Sequence, residues 1–176
     1  MKAINCLFLL LLLSVTPAFG QCKNNGENAG DNPAQKSVKG FGAQLLIVEK
    51  PQEFIQEWSK PETPHINPVS VAKRGEPLGV LVLFAGCKPD SKGVCNAEVD
   101  YTIYKPDGSI YGEQKAQELW KLEAPPVPNI QLGRAILVLR IEKKDPAGEY
   151  KAKARVHDLN ADVSFELETR LGVPAS

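Results

Sequence analysis

Cys95-Asn96-Ala97-Glu98-Val99-Asp100-Tyr101-Thr102-Ile103-Tyr104 alternates along its whole length. Cys95, Ala97, Val99, Tyr101 and Ile103 point one way; Asn96, Glu98, Asp100, Thr102 and Tyr104 point the other. Successive side chains of an extended chain project to opposite faces, so a period of two predicts a strand with one buried face. Lys105-Pro106-Asp107-Gly108-Ser109 follows and reads as a turn, because proline pre-sets φ and glycine accepts positive φ. A short strand near Ile110 is expected to pair back across it.

Towards the C-terminus the same period recurs twice. Tyr150, Ala152, Ala154 and Val156 oppose Lys151, Lys153, Arg155 and His157; Val163, Phe165, Leu167 and Leu171 oppose Ser164, Glu166, Glu168 and Arg170. Asn160 and Asp162 supply a hairpin turn between these runs. The outward charges of the two runs differ in sign, so adjacent strands would form cross-strand pairs contributing a few tenths of a kcal/mol each. Ala135, Leu137, Leu139 and Ile141 share a face in the preceding run. Towards the N-terminus, Leu78–Ala85 is apolar apart from Gly79 and predicts a central strand buried on both faces. Phe41–Val48 predicts another. Between them, Pro51–Lys60 places Phe54, Ile55 and Trp58 on one helical face, with Pro51 at a first-turn position. Seven or so short strands with turns every 8–12 residues predict an all-β fold, an antiparallel sandwich with one short helix.

Domain organisation follows from what flanks these runs. Met1-Lys2, the apolar run Cys6–Leu13, Pro17 and the small residues of Ala18-Phe19-Gly20 form the three parts of a cleavable signal peptide over residues 1–20, cleaved after Gly20. The apolar run is shorter than the ~20 residues of a membrane span. Residues 21–39 are rich in Asn, Gly, Lys and Asp and predict a flexible linker. The folded domain is expected over 40–172. A periplasmic or secreted location follows. Lipid attachment at Cys22 is the rival, disfavoured because Gln21 precedes the cysteine.

Cleavage leaves 20 basic and 21 acidic residues and a net charge near −1, which provides no field for nucleic acid. Of the three remaining cysteines, Cys87 and Cys95 bracket a turn-rich stretch and are the natural disulfide pair in an oxidising compartment. A metal site there would need two further ligands nearby.

Asp145-Pro146-Ala147-Gly148-Glu149-Tyr150 resembles the E–F corner of immunoglobulin-like domains, in which a tyrosine bonds back to the upstream backbone. The resemblance implies an immunoglobulin-like sandwich with Tyr150 as corner tyrosine and Asp145 and Gly148 shaping the turn. Ala152 replaces the core cysteine of antibody domains, so the chain looks more like disulfide-free macroglobulin-type domains. Through Phe41–Leu45, Phe84–Cys87, Tyr104–Gly108 and the corner, the chain is also similar to a group of small exported proteobacterial proteins of unassigned function. That likeness implies a bacterial source and no activity.

Catalytic motifs are missing from the sequence: there is no G-x-S-x-G, H-E-x-x-H, phosphate loop or G-x-G-x-x-G. No cofactor is implied. Trp58 and Trp120 are the candidate partner-binding residues, since exposed aromatics beside a groove anchor partners, although such residues also fill cores. The leading expectation is a non-catalytic exported module that binds a protein partner in the cell envelope. The alternative is a small periplasmic enzyme or a copper carrier using His65 and His157.

Overall fold

The computed structural model describes residues 30–62, 64–126 and 129–175, with the backbone of two short paired segments, Lys23–Asn24 and Glu27–Asn28. The signal peptide over residues 1–20 and Cys22 lie outside the described residues. In chain order the main elements are β1 (Gln35–Val38), β2 (Phe41–Glu49), α1 (Pro51–Trp58), β3 (Pro77–Ala85), β4 (Ala97–Tyr104), β5 (Ile110–Trp120), β6 (Gln131–Arg140), β7 (Gly148–Asp158) and β8 (Val163–Val173). They form two antiparallel four-stranded sheets, ordered β1-β2-β3-β6 and β8-β7-β4-β5. The chain crosses between sheets after β3, β5 and β6, which is the immunoglobulin-like connectivity with β7 in the position of strand F.

The alternating residues fill the space between the sheets. Ala97, Val99, Tyr101 and Ile103 meet Tyr150, Ala152, Ala154 and Val156 side by side, and face Phe41, Leu45, Ile47, Val80, Val82 and Phe84 across the core. Tyr101 is wholly buried, and its hydroxyl donates to the Ala135 carbonyl at 3.0 Å, so the burial leaves no unpaired donor. Burial pushes the ionisation of this phenol well above the usual tyrosine range.

The strands β2 and β3 are buried on both faces because α1 covers the outer one. Phe54 and Trp58 pack on Leu46, Val48, Leu81 and Leu83. Gly79, the break in an otherwise apolar run, is where the helix touches down: a Cβ there would lie 2.7 Å from the Pro51 Cβ. An eight-residue helix has little stability by itself, so this seat holds it in place.

Two expectations are corrected. Residues 35–38 belong to the sandwich as β1 rather than to a flexible linker over 21–39, and Glu168 N–H reaches the Pro33 carbonyl at 2.6 Å. An edge strand joins through main-chain hydrogen bonds and needs few large apolar side chains, which is why composition alone misassigned it. The strand near Ile110 is also long, running eleven residues to Trp120. It is an edge strand wet over most of its length and interrupted by bulges, so it carries no clean alternation. At one bulge Ala116 has φ 50°, and its N–H is taken by the Asp100 carboxylate at 2.7 Å.

Candidate functional site

Three regions collect the polar and aromatic residues singled out by sequence. The first lies against the outer face of the β1-β2-β3-β6 sheet. Trp58, at the end of α1, stacks on Phe54 with ring centroids 5.8 Å apart and is half-buried. The flank it leaves open forms the floor of a groove of about 640 Å³. Pro61, Pro64, Ile66 and Ile130 line it together with Lys60, Glu62, Asn129 and Gln131, with Ile66 37% and Ile130 42% exposed. Trp120 has a different environment. It packs on Phe84 at 5.6 Å beside the main core, and its indole N–H donates to the Glu123 carbonyl at 3.0 Å. The two tryptophans are not brought together, and Trp120 is part of the core margin.

The second region is the corner before β7. The Tyr150 hydroxyl donates to the Pro146 carbonyl at 3.1 Å, the back-bond expected of a corner tyrosine. Asp145 accepts from the Tyr111 hydroxyl at 2.5 Å and from the Glu142 N–H at 2.7 Å. The Tyr111 bond holds the Asp145 carboxyl below the usual carboxylate range, while burial and that same carboxylate push Tyr111 up. Tyr111 meets Tyr150 edge-on at 5.6 Å. Gly148 has φ 132°, and a Cβ there would lie 2.8 Å from the Pro106 ring. Arg74, which sequence reasoning missed, fastens the corner: its Nη1 donates to the Glu142 and Asp145 carbonyls at 2.8 and 2.9 Å, and its Nη2 to Pro174 at 3.0 Å. No sequence signal marks it, since it stands in a loop remote in sequence from everything it touches.

The third region is the disulfide loop. Cys87 and Cys95 are bonded, with Cα atoms 6.0 Å apart. The loop is also pinned from the β7–β8 hairpin. The buried Asp158 carboxylate accepts from Lys88 N–H (2.7 Å), Asn160 N–H (3.1 Å) and Ala161 N–H (3.2 Å). The Asn160 amide donates to the Lys88 and Val94 carbonyls at 2.9 and 3.0 Å. A signal for Asp158 was present: continuing the alternation Tyr150, Ala152, Ala154, Val156 by one step places an acid on the inner face.

His65 stands exposed in the loop that walls the Trp58 groove. His157 lies on the outer face of the other sheet, opposite Glu98 and Ser164, with its Nε2 3.7 Å from Asp100. The two histidines sit on different sheets' outer sides, which removes a metal site shared between them. Among the described residues no group of three or more His, Cys, Asp or Glu side chains is arranged to hold a metal ion. No helix among them is long and apolar enough to cross a membrane. The expected cross-strand pairs are present on the outer face of β7 and β8, with Arg155 and Glu166 2.6 Å apart.

No family model and no curated protein sequence matches the chain. Among solved structures it is similar to a family 123 glycoside hydrolase from Clostridium perfringens, described for glycolipid glycan hydrolysis, at 12% identity and a TM-score of 0.43. The match covers 76% of this chain but spans only 27% of that protein.

Proposed function

We propose that the chain is an exported, non-catalytic β-sandwich module that binds a protein partner of the cell envelope through the Trp58 groove. The signal-peptide pattern at residues 1–20 and the Cys87–Cys95 disulfide support export, because disulfides persist in oxidising compartments. The observation carrying the binding role is the groove itself. It sets a half-buried indole beside exposed isoleucines and two prolines, rimmed by Lys60, Glu62, Asn129 and Gln131, an aromatic anchor with a polar surround of the kind that dominates interface energetics. The outer face of the other sheet, by contrast, is occupied by its own ion pairs.

Site-specific photocrosslinking in exporting cells tests this reading. A photoreactive residue placed at Ile66 or Ile130 is expected to yield one adduct of the same mass, lost when Trp58→Ala is added. The same residue at Ser164 should yield none. Equal adducts from Ser164, or none from the groove, would overturn the assignment.

A further inference from the structure

The two tryptophans differ in what the fold does with their N–H groups. The Trp120 indole donates to the Glu123 carbonyl, whereas the Trp58 indole has no acceptor among the described residues. Buried donors are almost always paired, so this half-buried one is left for water or a ligand. The same holds for the side-chain amides of Asn129 and Gln131, which line the groove with it and make no hydrogen bond among the described residues. Of the two charges in the lining, Lys60 is taken by Glu57 at 2.5 Å, while the exposed Glu62 is in no ion pair among the described residues.

Of the ways a groove can hold a protein segment, these features favour one. Strand addition needs a row of main-chain N–H groups; here Pro61 and Pro64 supply none, and Gln131 already lies in register with Phe84 on β3. A docked helix needs a continuous apolar trough for anchors at i, i+4 and i+7, and four of the nine lining side chains are polar. A polyproline II segment fits the lining better. It has no internal hydrogen bonds, so its carbonyls need donors, and proline-rich segments dock in aromatic-lined grooves. Its fixed φ also leaves little conformational entropy to lose on docking.

We propose, on the footing that the Trp58 groove is the partner site, that it holds a proline-rich segment of the partner in the polyproline II conformation, with a basic residue of that segment set against Glu62. Proline rings lie on the open flank of Trp58. Carbonyls of the segment accept from the Trp58 N–H and from the Asn129 and Gln131 amides. The basic residue supplies the counter-charge that the fold withholds from Glu62.

The test is a nitrogen–proton NMR titration of the mature chain with a short peptide whose proline pairs flank one arginine. Saturable shifts of the Trp58 indole N–H and of residues 60–66 and 129–131 are expected, and none when every proline of the peptide is replaced by alanine. Trp58→Phe keeps a ring against Phe54 but removes the donor, and should weaken binding about fivefold. Glu62→Gln should weaken the arginine peptide about threefold and leave a glutamine version of the peptide unaffected, as an exposed ion pair requires. Lys92→Gln, in the disulfide loop, should change nothing. Mass spectrometry of the adduct crosslinked through Ile130 separates this occupant from others, with attachment to a proline-rich stretch of the partner expected. An adduct on a segment without proline, or peptide shifts indifferent to its prolines and to Trp58→Phe, overturns the proline-rich occupant while the groove remains the partner site. Absence of any adduct removes the partner site and this occupant together.

Discussion

Replacing Asp158 with alanine should destabilise the fold more than any exposed carboxylate would. Its carboxylate is buried and accepts three backbone N–H groups, one from the disulfide loop and two from the β7–β8 hairpin. A hydrogen bond to a charged group contributes about 1.5–3 kcal/mol, but the three are not additive. Lys88 is exposed and Asn160 half-exposed, so water can replace part of what is lost. We expect a net cost of about 3 kcal/mol, which at a urea m-value near 2 kcal/mol/M lowers the unfolding midpoint by about 1.5 M. Asp158→Asn keeps one acceptor but turns an NH₂ towards a donor and should fall about midway. The disulfide closes the same loop and contributes on the order of 2–3 kcal/mol in the chain-entropy model. With Cys87 and Cys95 both changed to alanine, the hydrogen bonds alone hold the loop, so Asp158→Ala should cost more there than in the bonded protein. A double-mutant cycle in urea, under non-reducing conditions, measures that difference. A cost below about 1 kcal/mol, or an identical cost in the two backgrounds, would refute the idea that Asp158 anchors the loop.

Two further expectations concern the corner and pH. Gly148→Ala forces a side chain into φ 132° and against the Pro106 ring, so it should cost about 2–3 kcal/mol and lower the melting temperature by roughly 8 °C, whereas Tyr150→Phe, which loses only the bond to Pro146, should cost about 1 kcal/mol; equal effects of the two would contradict the geometry. Asp107, Asp145 and Glu166 are each held below the ordinary carboxylate range in the folded protein, by Ser109, Tyr111 and Arg155 respectively. Their contribution is therefore present above the unfolded-state values near 4 and is lost as pH falls through the lower folded-state values. Urea midpoints measured from pH 7 to 2.5 should be flat until about pH 4 and then drop, more gently in Asp145→Asn; a midpoint that stays level to pH 2.5 would count against these contacts.

What the sequence makes legible here is whatever sits on a half-wet strand. Cys95–Tyr104 and Tyr150–His157 announce themselves because one face meets the core and the other meets water, and the register between them follows from that division. The edge strands escape the same test for a physical reason. Over most of β5 both faces are wet, and β1 is tied in by main-chain bonds to which side-chain identity is nearly indifferent. The candidate sites are harder still. The Trp58 groove joins Trp58, Pro61, Pro64 and Ile66 to Ile130 and Gln131, segments remote in the sequence that meet only once α1 is seated on its sheet. The charged outer face of β7 and β8, by contrast, is written in the pattern that built the fold. Lys151 and Lys153 are the polar half of an alternation whose apolar half is the core, and across the register Glu166 and Glu168 pair with them and with Arg155, so the outward charges of β7 and β8 form the paired face that their signs imply.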